Sequence, residues 1–327
     1  MLLVVSFAVM VTGSFVFTNA VEWVGIRLGL GHGAVGSVLA AVATALPESL
    51  IPVVAVARGR TAGSEIAVGA IVGAPFLLAT LAMAMCAVAA FAFRARRGRG
   101  RLQPDRQATA RDLRVFLCAL PAAIVLGLVH SPPLRYAGAL VLVASYAVFT
   151  WKTIVRSRKE ADTDEPPSLY FDTTKDDPPS GFQVVAQAVV GIGMLVGAAE
   201  LFVTSIEHLA HGLGVDELVL TLVIAPLATE LPETINSLTW IRQGKDTLAL
   251  GNITGAMVFQ STLPVAFGLV FTDWNLTAPA LLAMLAAAGG AALSLLVLLH
   301  PMRSRLPVIG CWTGLYLAGI TSIIVVA

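Results

Sequence analysis

Two short stretches hold the residues of this chain best suited to chemistry. Thr44-Ala45-Leu46-Pro47-Glu48 and Thr229-Glu230-Leu231-Pro232-Glu233 each set a carboxylate directly after a proline, inside a long apolar run. An ionisable group at membrane depth is costly to bury and marks a functional site by default. Proline offers no backbone N–H and crowds the carbonyl four residues earlier. Pro47 therefore loosens Ala43, and Pro232 loosens Ala228. Carbonyls released inside a bilayer must line a cavity or meet a ligand. Thr44 and Glu48 are four apart, as are Thr229 and Glu233, so each hydroxyl shares a helix face with its carboxylate. Both stretches thus gather hard oxygen donors, and together two carboxylates neutralise a divalent cation. Calcium accepts about six to eight such oxygens in flexible geometry, whereas magnesium sheds water reluctantly. No Cys or His stands beside either stretch, which argues against zinc or copper.

Other polar residues fall in the same apolar runs. Asn252 and Gln260 are either further ligands or interhelical hydrogen-bond donors. Glu230 and Glu200 have no acidic equivalents in the first half of the chain, where Ala45 and Phe15 stand. Each is either a proton relay or a carboxyl kept neutral or hydrogen-bonded to a neighbouring helix. Glu22 and Glu207 fall near the ends of runs, where they face water.

The elements that position these groups are membrane helices. The 327 residues are 57% hydrophobic and only 13% charged, against about 25% charged in soluble domains. The mean hydropathy of +0.84 agrees. A spanning helix needs roughly 20 mostly apolar residues. Ten runs qualify, at 2–25, 33–57, 64–93, 115–130, 134–152, 182–207, 216–241, 246–271, 277–299 and 306–326. The first lacks a basic leader segment and reads as a membrane helix rather than a signal peptide. Cys86, Cys118 and Cys311 lie in apolar runs without metal-type spacing and imply no disulfide framework. No phosphate-binding glycine loop is present, so ATP is not the expected driving force.

Two hydrophilic stretches interrupt the runs. Arg94–Arg114 carries eight arginines, and 156–181 is polar, proline-rich and acidic, a flexible linker between halves. With ten spans, eighteen Lys and Arg fall on one side and only Arg58, Arg60 and Arg135 on the other. The positive-inside rule then places the linker in the cytoplasm and both termini outside, and a plasma membrane is the expected location for a short chain with no large regulatory domain.

The halves are related. A shift of 185 residues brings Glu22 onto Glu207, Gly29 onto Gly214, Thr44 onto Thr229, Pro47 onto Pro232 and Glu48 onto Glu233. After a three-residue contraction, Gly69 and Gly73 fall on Gly251 and Gly255. Small residues four apart let helix backbones approach closely, so these helices are expected to pack on the proline-broken ones. Five spans per copy is an odd number, so the second copy enters the membrane inverted. The expected fold is an all-α polytopic membrane protein of ten helices in two inverted five-helix repeats. The first occupies 1–155 and the second 182–327, joined by the linker 156–181. Inverted repeats of this kind build secondary transporters with the ion site at the midplane.

The paired Thr-x-Leu-Pro-Glu segments, each followed by a Gly-x-x-x-Gly helix, resemble the two alpha-repeats of the sodium/calcium exchanger (calcium/cation antiporter) superfamily. The family pattern reads Gly-Thr-Ser-Leu-Pro-Glu, then Gly-Asn-x-x-Gly-Ser-Asn-x-x-Asn or Asp. Thr44, Glu48, Thr229, Glu233, Gly251, Asn252 and Gly255 match it, while Ala45 and Glu230 replace the motif serines and Ala74 and Ala256 the later ones. Leu78 and Gln260 stand at its terminal polar positions. The resemblance implies that Glu48 and Glu233 hold calcium. In sodium-coupled members the replaced positions help hold sodium, so the counter-ion is sodium or a proton, the latter carried by Glu48, Glu233 and Glu230. It also implies inorganic cations and the lipid bilayer as partners, with no cofactor, no nucleic acid and no obligatory protein partner. An ion-binding membrane sensor that does not transport is the alternative. An enzyme is not expected, since no aspartate lies within the spans and no nucleophile stands with a base.

Overall fold

The computed structural model describes residues 1–27, 45–59, 61–98, 102–129, 131–157, 168–172, 179–300 and 306–326. Every regular element among them is helical: α1 (Leu2–Arg27), α2 (Leu46–Ala57), α3 (Thr61–Leu77), a π-helical turn (Leu78–Ala82), α4 (Met83–Ala92), α5 (Arg94–Arg97), α6 (Arg106–Leu128), α7 (Pro132–Ser157), α8 (Gly181–Leu213), α9 (Glu217–Thr229), α10 (Leu231–Gln243), α11 (Asp246–Gln260), α12 (Leu263–Phe271), α13 (Ala278–Leu299) and α14 (Leu306–Val326).

Local chemistry sets the helix ends. Asp105 accepts from the backbone of Gln107 (2.8 Å) and Ala108 (3.2 Å), which starts α6 nine residues earlier than hydropathy suggests. Ser180 and Gln183 form a capping box at the head of α8. Asp216 caps α9 through the Leu218 amide at 2.7 Å. Gly214 and Gly244 end α8 and α10 in the left-handed conformation that favours glycine.

Seven helices among the described residues are long and apolar enough to cross a membrane, and α9 with α10, bent by 43°, makes an eighth. The other two expected runs correspond to α2, preceded by residues outside the description, and α6, whose first turns carry Arg106, Arg111 and Arg114.

The interior has two apolar centres. The larger holds Leu78, Phe116, Leu120, Met257, Trp274, Met284 and Trp312, drawn from the π turn and from α6, α11, α13, α14 and the loop after α12. The smaller joins α1, α2 and α8 to the first turns of α3 through Met10, Ile51, Ile66, Leu195 and Phe202. Within it α1 and α8 lie close: a Cβ on Gly191 would sit 2.8 Å from Phe17, and one on Gly13 would sit 3.0 Å from Met194. The outward faces of α7 and α8 expose Leu140, Val141, Val185 and Val189, side chains suited to hydrocarbon.

The linker is held where it is described. Leu169 is buried with Trp23 and Val184. The Phe171 amide donates to Gln187 Oε1 (2.8 Å), and Arg27 donates to the Pro179 carbonyl. Gln187, itself buried, donates to Asn19 and to the Val16 carbonyl, tying the linker to both α1 and α8.

Candidate functional site

The second motif stretch is a helix break, and the first, from Ala45 on, is a helix start. Glu230 lies between α9 and α10 at φ −90°, ψ −4°, and Ala45, its repeat equivalent, precedes α2 at φ −79°, ψ −1°. A new helix starts at the next residue in each case, with proline second and glutamate third. The first turn tolerates proline because its amide has no intrahelical partner. Glu48 and Glu233 therefore stand in the first turns of half-helices, where the backbone dipole favours negative charge.

The structure brings the second-half residues and Glu48 together. Glu48, Glu230, Glu233 and Gln260 are 4%, 0%, 2% and 1% exposed. Gln260, at the end of α11, spans the halves: Nε2 donates to Glu230 Oε2 at 2.9 Å and to Glu48 Oε1 at 3.4 Å. The Thr229 hydroxyl reaches Glu230 Oε1 (3.1 Å) and the Ala225 carbonyl (3.3 Å). Asn252 donates to the Glu233 carbonyl (3.1 Å) and to Ser237 Oγ (3.2 Å), so it holds the start of α10 through the backbone. The charges of Glu230 and Glu233 act on Glu48. Thr44 lies outside the described residues.

The arrangement fits hard cations. Glu48 Oε2 and Gln260 Oε1 are buried and have no hydrogen-bond partner among the described residues. An orphaned buried oxygen costs free energy until something with positive charge meets it. Carboxylate, amide and hydroxyl oxygens suit calcium or protons more than soft metals. Among the described residues no three His, Cys, Asp or Glu side chains form a metal-ligating group. The oxygens on offer are thus mixed in type.

The glycine pair of α3 packs as its spacing suggests. A Cβ on Gly69 would lie 2.6 Å from the Leu218 carbonyl, and one on Gly73 would lie 2.3 Å from the Leu222 carbonyl and 2.7 Å from Pro226 Cγ. The first half's glycine helix thus abuts the second half's broken helix. For Gly251 and Gly255 an added Cβ meets nothing within 4 Å among the described residues.

Glu200 stands apart from the site. Its side chain is 51% exposed and pairs with Arg58 (2.5 Å), which also reaches Glu207 (3.2 Å) and Thr204. Its contact with Arg58 is the bond to a neighbouring helix that the sequence offered as the alternative to a relay.

Two polar groups escaped the sequence reading. Ser237, fully buried one turn beyond Glu233, donates to the Ala249 carbonyl, and its i+4 spacing was the available signal. Asp112, buried on α6, accepts from Thr254 (3.0 Å) and Arg111 (2.9 Å), its helical setting hidden by the surrounding arginines.

With this geometry in hand, comparison with known proteins is specific. The family model for sodium/calcium exchanger proteins matches residues 1–155 and 184–327. The chain belongs to the sodium/calcium exchanger protein family. Over 122 residues this family member is 30% identical to CaxA of Alkalimonas amylolytica, covering 37% of its own length and 38% of that protein's. Over 121 residues it is 26% identical to the inner membrane protein YrbG of Escherichia coli (strain K12), covering 36% of its own length and 37% of that protein's. The exchanger-family fold extends much further. The crystal structure of the H+/Ca2+ exchanger CAX superposes with a TM-score of 0.73 at 21% identity, over 99% of this chain and 81% of that one. The sodium-calcium exchanger NCX_Mj gives 0.61 at 19% identity, over 98% and 97%.

Proposed function

We propose that this exchanger-family chain is a secondary cation antiporter. It moves calcium, or a related cation, against sodium or protons by alternating access. Glu48 and Glu233 bind the transported cation, with Thr44, Thr229, Glu230, Asn252 and Gln260 completing or supporting the site. One observation carries the reading: a single amide, Gln260, joins acids from both halves at one buried point. Three carboxyls confined there need either a divalent cation or protons to offset their charge. One site that accepts either occupant, but not both, is the basis of exchange. Each occupant acts by binding one of two conformations better than the other.

Ten spans in two inverted repeats fit this reading. The family match falls in two stretches, and equivalent helices meet across the molecule, α1 on α8 and α6 on α13. The Lys and Arg imbalance favours linker 156–181 inside and both termini outside, and the protein's class favours a plasma membrane. Among counter-ions we favour the proton, because Glu230 fills a place where sodium-coupled members carry serine and bonds to Gln260.

Proteoliposomes test the proposal. Calcium uptake is measured first under a sodium gradient, then under a pH gradient. Glu48→Gln and Glu233→Gln should each reduce uptake by about a hundredfold or more, of the order expected for losing a charge-bearing ligand. Calcium binding without counterflow would instead identify the sensor.

A further inference from the structure

Helices α3 and α9 meet along a seam that is polar at one end. At the end opposite the arginine-rich loop, Glu65 of α3 and Glu217 of α9 are neighbouring acids, with Asp216 close by. Neighbouring carboxyl groups repel when both are charged, so such a pair favours holding a proton. Both are half-buried. Ser64, beside Glu65, opens onto a cavity of about 370 Å³ that Arg135 and Asp273 also line. The Arg135 guanidinium donates to the Leu269 and Thr272 carbonyls.

One turn inward on α9 lies Thr221. Its hydroxyl is fully buried and has no partner among the described residues. It sits against Gly69, one turn inward of Glu65 on α3, so it lies in the seam beneath the carboxyl pair. A further turn inward the Leu222 carbonyl faces Gly73, and Pro226 supplies no N–H to cap it. Glu217, Thr221, Ala225 and Thr229 are each four apart and share one face of α9. That face ends at the Thr229 hydroxyl and Glu230.

We infer that the α3–α9 seam is a proton access route, in which the Glu65–Glu217 pair takes protons from water and the Thr221 hydroxyl, with a water held by the Leu222 carbonyl, passes them toward Thr229 and Glu230. The route rests on the antiport reading and names its counter-ion. Each step moves one proton between oxygens. A proton leaving Glu217 for the interior is replaced from water at the mouth, and no bond other than O–H forms or breaks. Glu217 and Thr221 are one turn apart, about 5.4 Å, a gap closed by hydroxyl rotation and one bridging water, while Thr221 and Thr229 are two turns apart and are joined through waters held by the Leu222 carbonyl. A metal cation would need a fuller oxygen shell than one hydroxyl and one carbonyl supply. Proton relays of carboxyls inside membrane helices are a known use of such residues.

The test uses the full chain in proteoliposomes, with a pH dye inside and calcium outside. Thr221→Val keeps the shape and removes the hydroxyl. It should slow pH-gradient-driven exchange by about tenfold or more, in the range of one lost proton-transfer group, while calcium binding in detergent stays unchanged. Thr221→Ser should restore the rate. Glu217→Gln, at the mouth, should slow exchange likewise and carries the test if Thr221→Val fails to fold. Wild-type rates in both Thr221→Val and Glu217→Gln would overturn the route. A wild type that exchanges calcium for sodium alone overturns it too but leaves antiport standing, whereas no exchange at all removes both.

Discussion

Gln260 is the residue on which the site's geometry turns, and it gives a direct prediction. It donates to Glu48 and Glu230 at once. Its repeat equivalent is Leu78, which is fully buried in the larger apolar centre. Gln260→Leu would keep the bulk and remove both donors. A buried oxygen left without its partner costs about 1–3 kcal/mol. Thermal unfolding in detergent should therefore begin at a lower temperature, and an unchanged midpoint would contradict the bridging role. Glu48, Glu233 and Glu230 were legible in the sequence because a charge in an apolar run stands out. Asn252 was legible as a choice between ligand and tether, and the structure places its side chain on the Glu233 backbone and Ser237. Asp112 was not legible, because Arg106, Arg111 and Arg114 make its helix look like part of a solvated loop.

The elements combine legible and illegible parts. The proline-defined starts of α2 and α10 follow from the chain's local chemistry. The perturbation of the two glycine helices does not. Both depart from α-helical geometry at the same repeat position, through the π turn at Leu78–Ala82 in one and the break at Ser261–Thr262 in the other. Apolar residues continue through both places, so hydropathy gives no sign. Tight packing of α3 on α9 is testable. Gly73→Ala drives a methyl against the Leu222 carbonyl, and such overpacking costs about 1–3 kcal/mol. Gly193 of α8 has nothing within 4 Å of an added Cβ among the described residues. Gly193→Ala should instead be neutral or mildly stabilising, by up to about 1 kcal/mol of helix propensity. Equal effects of the two on thermal stability would rule out the close contact.

At the scale of the molecule, composition was enough to reach an all-helical membrane protein, and the paired Thr-x-Leu-Pro-Glu motifs its resemblance to the exchanger family. The number of spans was harder to read, since α6 mixes arginines with a buried face and α2 is short. Arg58, which joins the end of α2 to α8 through Glu200 and Glu207, could not be foreseen, because its partners are about 140 residues away. One feature of the two motif stretches reaches beyond architecture. Glu230 stands at one of them and Ala45 at the other. Under the proposed alternating access this makes a lopsided rocker, whose two resting poses are not mirror images and differ in free energy. Such a bias rectifies the kinetics without touching the reversal point, which the ion gradients alone fix. Half-saturating calcium should thus differ between right-side-out and inverted vesicles, and Glu230→Ala, which evens the two stretches, should narrow the gap. Identical values on the two faces of the wild type would show that the lopsidedness has no kinetic consequence.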